Sequence, residues 1–303
     1  MKILLCRLGC VLVGWAGVGA VRGSEVLAPP VPLVFHHLPN GYRFGLMGEH
    51  PGQPAPTLFV LAAALETMRD DGHFNALGRI LARYGFMSIM LDPPAHGDDR
   101  RPAEGESMEG ALLAWRQRLD RGEDLVGPFN RHAEEVLDYL VAQHLADPAR
   151  VGAFGISRGG FLAFHLAAAD PRIRFAAALS PLIDPMALKE FAGDPQHERA
   201  EAASAIRLAP KLAGRPIWIG ISNDDMRVDV GQIIAFTRAV VRASAEGQPP
   251  NPVIPVELVM GPASAAGGLG HYALDEGNAL LANWILKLYG QAESVPLEES
   301  ARE

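Results

Sequence analysis

One serine stands between two glycines in this 303-residue chain: Ser157, in the pentapeptide GISRG (155–159). The apolar run RVGAFGIS (150–157) predicts a buried strand, and RGGFLAFHLAAA (158–169) predicts a helix. The serine would then lie in a sharp strand-to-helix turn, where the flanking glycines let neighbouring backbone pass without a Cβ clash. A hydroxyl exposed there, beside the N–H of Arg158, is typical of a nucleophile. We predict this role in preference to a chance match in a glycine-rich chain.

The elements that would position Ser157 alternate along the chain. Two strand-like runs in LVFHHLPNGYRFGLM (33–47) flank Asn40-Gly41, a pair typical of a type I′ hairpin turn. Short apolar runs predict the remaining strands, and amphipathic segments between them predict helices. This order predicts a mostly parallel central sheet with an antiparallel N-terminal hairpin and helices on both faces. The further predicted strands cover 57–63, 86–92, 150–157, 174–180, 216–222 and 255–261, and the predicted helices cover 75–85, 129–145, 158–169, 231–247 and 272–290.

The serine motif and its context resemble the α/β-hydrolase superfamily. The additional glycine and the aromatic residue in GISRGGF (155–161) are similar to the branch that includes prolyl oligopeptidases and dienelactone hydrolases. The resemblance covers residues 30–290, which are expected to form a single α/β-hydrolase domain, followed by a polar tail at 291–303. It implies a nucleophile, an acid and a histidine in that order along the chain, and it implies no cofactor.

The base must be a histidine, because a serine hydroxyl is a weak nucleophile unless an imidazole accepts its proton. Two histidines lie beyond the helix predicted at 158–169, namely His197 and His271. His197 lies in the polar stretch GDPQHERA, away from any predicted strand end. His271 lies in a glycine-rich loop between the last predicted strand and the last helix, where the fold presents its base. We predict that His271 is the base, although a histidine in such a loop can also serve only as a turn or cap residue.

The acid has three candidates. The strand PIWIGIS is followed by NDDMRVDV, and the acid of the family commonly heads a D-x-R-V-like segment. We choose Asp225, which begins DMRV. Asp224 is the alternative one residue earlier, and Asp184 in SPLIDP follows an earlier strand where some relatives place the acid. Asp229 is more typical of a helix cap, and Asp184 also suits a turn.

The oxyanion hole is predicted from the backbone N–H groups of Arg158 and Ala64. Relatives often have His-Gly after the strand that corresponds to TLFVL (57–61), whereas this chain continues with AAALETM (62–68). Because the donor is a backbone N–H, the shape of the loop matters more than its side chains. The missing glycine nevertheless leaves the conformation of the loop open. It also leaves open a hypothesis in which the chain is a catalytically degenerate binding protein.

Two other stretches are candidates for a functional role, one as a metal site and the other as a lid. The segment LDPPAHGDDRR (91–101) contains His96, Asp98 and Asp99, which could suggest a metal site. A turn-forming loop at the sheet edge explains them better, because no further ligand set accompanies them, and we predict no metal. Residues 100–128 do not fit the sheet pattern and form either a small lid or an extended crossover.

The N-terminus is typical of a signal peptide. A basic segment, MKILLCR (1–7), precedes the apolar LGCVLVGWAGVGA (8–20), and cleavage is predicted after Ala20 or as late as Gly23. The apolar stretch is shorter than the roughly 20 residues that a membrane-spanning helix needs. We therefore expect a secreted or periplasmic protein with no stable membrane insertion after processing.

The cysteine content and the net charge of the chain limit which chemistry and which partners are expected. The two cysteines, Cys6 and Cys10, both lie in the segment that would be removed, so no disulfide or thiol nucleophile is expected in the mature chain. A net charge of −8 gives no basic surface for nucleic acid. Together these features predict an exported serine hydrolase that cleaves a small-molecule or carbohydrate ester. A serine peptidase of the prolyl-oligopeptidase type is the second hypothesis.

Overall fold

The strands of the computed structural model follow the predicted order. The structure describes residues 31–48, 52–105, 107–194, 197–247, 256–262, 271, 276–290 and 295. The predicted signal peptide and, apart from Val295, the polar tail lie outside the described residues. The strands are Val34–His37 (β1), Arg43–Met47 (β2), Ala55–Leu61 (β3), Met87–Met90 (β4), Ala146–Ile156 (β5), Ile173–Leu179 (β6), Ile217–Ser222 (β7) and Val256–Gly261 (β8).

These eight strands form one sheet in the order β1-β2-β4-β3-β5-β6-β7-β8. The strand β2 pairs antiparallel with both β1 and β4, and every other described pairing is parallel. The predicted fold class, a mostly parallel sheet with an antiparallel N-terminal hairpin, is confirmed. The six strands from β3 to β8 all run the same way. The residues that follow their carboxyl ends therefore meet at one edge of the sheet.

Helices cover both faces of the sheet. Alternate residues of β3 separate the two faces: Phe59 and Leu61 join one apolar cluster, and Leu58 and Val60 join the other. The helices α3 to α8 contribute to the first cluster, and α1, α2 and α9 to the second. The helices are Leu65–Asp70 (α1), Gly72–Ala82 (α2), Met108–Asp120 (α3), Gly127–Ala142 (α4), Arg158–Ala169 (α5), Glu198–Ala203 (α6), Ala209–Leu212 (α7), Val230–Glu246 (α8) and Gly277–Leu288 (α9).

The hairpin between β1 and β2 is present, but its turn is not type I′. A type I′ turn needs positive φ at both central residues, and of the pair Asn40-Gly41 only Gly41 has it, at 87°. The N–H of Gly41 donates to the carbonyl of Leu38 at 2.8 Å, which places Pro39 and Asn40 at the centre of the turn. Proline fixes φ near −65° and favours a type I turn at that position. The prediction of turn type was therefore wrong, because it ignored Pro39.

The stretch 100–128 contains the helix α3. Its residue Trp115 is fully buried in the cluster on the α3–α8 face. The indole Nε1 of Trp115 donates to the carbonyl of Pro94 at 2.8 Å. The helix is thereby tied to the loop that follows β4.

None of the helices in the described part of the chain combines the length and the apolar character needed to cross a membrane.

Candidate active site

Ser157 occupies the turn between β5 and α5. The strand ends at Ile156 and the helix begins at Arg158, so one residue makes the whole turn. Ser157 has φ 54° and ψ −116°, a conformation that side-chain-bearing residues rarely adopt. Such strain persists only where the surroundings enforce it, and it is characteristic of a nucleophile at a sharp strand-to-helix turn.

The glycines of the motif are required by close backbone packing. A Cβ atom on Gly155 would lie 2.0 Å from the carbonyl carbon and oxygen of Gly159. A Cβ atom on Gly159 would lie 1.8 Å from the carbonyl oxygen of Leu61 at the end of β3. Because these neighbours are backbone atoms, no side-chain rotation could relieve the contact. The strand-to-helix turn at Ser157 (the elbow) can therefore form only with glycine at both 155 and 159.

The structure brings Ser157, His271 and Asp225 together. His271 Nε2 lies 3.1 Å from Ser157 Oγ, and His271 Nδ1 lies 2.8 Å from Asp225 Oδ2. The side chains of His271 and Asp225 are almost fully buried. A carboxylate only accepts, so Nδ1 carries the proton and Nε2 presents a lone pair to the serine hydroxyl. This arrangement can remove a proton from Ser157 when the serine attacks.

Asp225 lies in the turn that follows β7. Its Oδ1 accepts hydrogen bonds from the N–H groups of Arg227 at 2.9 Å and Val228 at 3.3 Å. Burial opposes the ionisation of Asp225, but the hydrogen bonds from His271, from the backbone and from the Ser180 hydroxyl outweigh it, so its pKa is lowered. The carboxylate is thus ionised and oriented towards His271.

The other candidates for base and acid have structural roles. The side chain of Asp184 accepts from the N–H of Met186, and that of Asp229 caps α8 through the N–H of Gly231. His197 caps α6 and bonds Asp120. Asp224 is exposed, whereas its neighbour Asp225 is buried. These placements separate the predicted residues from the alternatives.

The predicted oxyanion donors border one cavity. Arg158 is the first residue of α5, where backbone N–H groups have no partner within the helix. Ala64 directly precedes α1, and both residues line a cavity of about 470 Å³. Ala64 has φ −59° and ψ 150°, which any residue adopts, so this loop does not need the glycine of the relatives. The N–H of Leu65 donates to Asp92 Oδ1 at 2.8 Å, which anchors the loop to the end of β4.

Sequence reasoning missed Ser180, which follows β6. Ser180 is buried and has φ 43°, and its side chain bonds Asp225. A serine directly after a buried strand is the signal that could have suggested it. Serine is common in turns, and the backbone conformation that directs this side chain is not visible in the sequence.

The loop after β4 is held by ion pairs and hydrogen bonds. Asp98 pairs with Arg43, Asp99 pairs with Arg118, and His96 Nδ1 lies 2.8 Å from the carbonyl of Pro94. In the described ranges no group of three or more His, Cys, Asp or Glu residues is arranged to hold a metal ion. His96 also borders the cavity that Ala64 and Arg158 line.

Comparison with known proteins gives the family. A family model described as "Putative esterase" matches residues 31–246. A protein of Bacillus subtilis (strain 168) named "Putative hydrolase YtaP" is 30% identical over 104 residues, which are 34% of this chain and 32% of that protein. The match therefore spans about a third of that relative's length.

Solved structures show the same fold at low sequence identity. TT1662 from Thermus thermophilus is 19% identical with a TM-score of 0.58, and the match covers 86% of this chain and 99% of that one. The acylaminoacyl peptidase of Pyrococcus horikoshii is 12% identical with a TM-score of 0.58, covering 90% of this chain but 44% of the peptidase. A puromycin-hydrolyzing peptidase of Mycobacterium tuberculosis is 15% identical with a TM-score of 0.60, covering 85% and 40%. The chain belongs to the "Putative esterase" family, and it has the α/β-hydrolase fold.

Proposed function

We propose that this protein is a serine hydrolase that cleaves carboxylic esters through an acyl-enzyme. The observation that carries the proposal is the hydrogen-bonded chain from Asp225 through His271 to Ser157, with the serine in a strained turn. The three side chains are oriented for transfer of the serine proton to the imidazole. Membership of the esterase family supports an ester as the bond that is cleaved.

In the proposed reaction, Ser157 Oγ attacks the carbonyl carbon while His271 Nε2 takes the hydroxyl proton. Asp225 holds the Nδ1–H of the imidazolium that forms. The oxyanion of the tetrahedral intermediate accepts hydrogen bonds from the N–H groups of Arg158 and Ala64. When the intermediate collapses, the C–O bond to the alcohol breaks and His271 returns the proton to the alcohol. Water then attacks the acyl-enzyme with His271 as base, which releases the carboxylic acid and restores the serine.

A serine peptidase is the second candidate, because peptidases occur among the structural neighbours. Those peptidases are more than twice as long as the part that this chain matches. Amide cleavage requires that the leaving amine be protonated as it departs, so the substrate must be held in closer register with His271. Ester cleavage has a less strict requirement. We therefore propose a small-molecule or carbohydrate ester as substrate.

The decisive experiment is labelling with a fluorophosphonate, which reacts only with an activated serine. The wild-type protein should be labelled, and Ser157→Ala should lose both labelling and ester hydrolysis while its thermal unfolding stays cooperative. The activity loss should be on the order of 10⁶-fold, the loss found when the nucleophile of the serine protease subtilisin is removed. Ester hydrolysis by Ser157→Ala at the wild-type rate would refute the assignment. A folded wild type with neither labelling nor hydrolysis would favour the degenerate binding protein.

Ester and amide substrates separate the two candidate activities. We expect kcat/KM for short-chain aryl esters and acetylated sugars to exceed that for X-Pro and Ala-Ala amides. Amide cleavage as efficient as ester cleavage would favour the peptidase instead.

We also propose export to the periplasm or the medium. The basic and apolar pattern of residues 1–20 supports it. The mature protein isolated from its cells should begin at residue 21, or as late as residue 24, by intact-mass measurement. A cytoplasmic protein that retains Met1–Ala20 would refute the proposal.

A further inference from the structure

His96 has a fixed tautomer. The carbonyl of Pro94 accepts hydrogen bonds at 2.8 Å from both His96 Nδ1 and Trp115 Nε1. A carbonyl oxygen cannot donate, so the proton of the neutral imidazole is on Nδ1. The other nitrogen, Nε2, consequently presents a lone pair.

Among the described residues, none offers a hydrogen-bond donor to that lone pair. His96 is more than nine-tenths buried, and within the described part of the chain Nε2 has no hydrogen-bond partner. Burial and the positive charge of Arg158 lower the pKa of His96 to about 3, so Nε2 remains an acceptor at neutral pH. An unsatisfied buried acceptor costs stability, and native proteins seldom retain one without a reason.

The loop around His96 keeps this orientation at a further cost. Ala95 and Gly97, on either side of the histidine, have φ values of 62° and 48°. Asp99 Oδ2 accepts from the N–H of Ala95 at 2.6 Å, and Asp92 Oδ2 accepts from the N–H of Asp98 at 3.1 Å. Strain at Ala95 together with an unsatisfied Nε2, in a residue that borders a cavity, is the pattern expected of a ligand-binding position.

The position of the cavity connects His96 to the proposed reaction. The same cavity of about 470 Å³ is lined by Ala64 and Arg158, whose N–H groups we assign to the oxyanion hole. A substrate whose carbonyl reaches those donors would enter a cavity that His96 also lines. Nε2 has almost no solvent-accessible area, so a ligand group reaches it only if neighbouring side chains shift.

We propose that His96 determines specificity by accepting, at Nε2, a hydrogen bond from a hydroxyl group of the substrate. The preferred substrates are then esters that carry a hydroxyl near the scissile carbonyl, and this inference rests on the proposed esterase function. A hydroxyl suits the cavity better than an ammonium group, because Arg158 and Arg100 line it. Glu66 also lines the cavity, but it is already paired with Arg43.

Two substitutions separate recognition from loop anchoring. In His96→Asn the amide nitrogen can replace Nδ1 as donor to Pro94, but no acceptor remains at the position of Nε2. In His96→Gln the amide oxygen can replace Nε2, while the anchor to Pro94 is lost. A role in anchoring alone would make the glutamine variant the more damaging of the two and would leave substrate preference unchanged in both.

The measurement is a ratio of kcat/KM values for matched esters. Phenyl 3-hydroxybutyrate against phenyl butyrate tests a hydroxyl on the acyl side, and glycerol 1-monobutyrate against propyl butyrate tests the alcohol side. In one of these pairs the wild type should prefer the hydroxylated ester by about 10- to 100-fold. The preference should fall to within about threefold in His96→Asn and largely survive in His96→Gln. Because the readout is a ratio, partial loss of folded enzyme does not affect it.

Two results would overturn the inference: no hydroxyl preference in either pair, or a preference that His96→Asn retains. Failure of the esterase proposal has a different signature, since the wild type would then hydrolyse no ester and escape phosphonate labelling. A second measurement works without turnover. In ¹⁵N-histidine-labelled Ser157→Ala protein, the Nε2 resonance of His96 should shift with the hydroxylated ester and not with its partner. An equal response to both esters would also reject the inference.

Discussion

The described part of the chain contains two histidine–aspartate pairs of equal length. His271 Nδ1 lies 2.8 Å from Asp225, and His197 Nε2 lies 2.8 Å from Asp120. Both imidazoles are buried, but the side chain of Asp225 is fully covered while that of Asp120 is 45% exposed and also bonds Arg116. A search for histidine–aspartate contacts alone would not tell the two pairs apart.

The pairs differ in what the second ring nitrogen faces. His271 Nε2 faces the hydroxyl of Ser157, whereas His197 Nδ1 accepts the N–H of Ala200 at the start of α6. The two rings therefore carry their proton on opposite nitrogens. In the first pair the lone pair is available to a reacting group, and in the second it is used by the backbone. A carboxylate that orients a histidine thus supports catalysis only where the other nitrogen meets a nucleophile.

The largest difference is expected when the two carboxylates are removed in turn. Asp225→Asn should lower kcat by about 10⁴-fold, because an amide no longer enforces the tautomer in which Nε2 is a base. Asp120→Asn should leave kcat for an aryl ester within about twofold. Circular dichroism on each variant would exclude unfolding as the cause.

Asp224→Asn is the matched control for register, since Asp224 is the exposed neighbour of Asp225. Its kcat should also remain within about twofold of wild type. A loss at Asp120 or Asp224 that equals the loss at Asp225 would remove the distinction between the two pairs.

The same contrast explains what the sequence could predict. The elbow was predictable because the requirement for glycine is local. Close contacts with backbone atoms require glycine at 155 and 159, and both positions belong to a five-residue sequence motif. The strands were predictable because apolar runs alternate with helices. The choice of His271 over His197 followed from their positions relative to the predicted strands.

Other features depend on residues far apart in the chain. Arg118 pairs with Asp99, and Trp115 bonds Pro94, across about 20 residues that show no sheet pattern. The unsatisfied Nε2 of His96 results from these contacts and from the fold of the loop. No local pattern predicts which nitrogen of a histidine is left without a partner, so this part of the cavity needed the structure.

His165 differs from His271 and His197 because it bonds a backbone carbonyl instead of a carboxylate. His165 Nε2 lies 2.9 Å from the carbonyl of Ala203, and burial lowers the pKa of His165 to about 4. Unfolded histidine takes up a proton near pH 6.5, so between that pH and about 4 the unfolded state binds more protons. The free energy of unfolding should therefore fall as the pH decreases through this window.

The variant His165→Gln keeps an N–H donor for Ala203 but cannot titrate. Its free energy of unfolding, measured by urea denaturation from pH 7 to 4.5, should fall less steeply than that of wild type. The difference is at most about 1.4 kcal/mol per pH unit, the limit for one proton. Equal slopes in the two proteins would show that His165 takes up its proton over the same pH range in the folded and unfolded states.

The smallest effect is expected from the second pair itself. His197→Ala removes the cap of α6, which should cost about 1 kcal/mol of unfolding free energy. The lost contact with Asp120 should add less than about 1 kcal/mol, because that carboxylate is half exposed and retains Arg116. His197→Asn should recover most of the stability, since asparagine is itself a good cap. Both variants should keep kcat for an aryl ester within about twofold, because neither nitrogen of His197 faces Ser157. A tenfold drop in kcat with unchanged urea denaturation would instead couple this pair to the reacting serine.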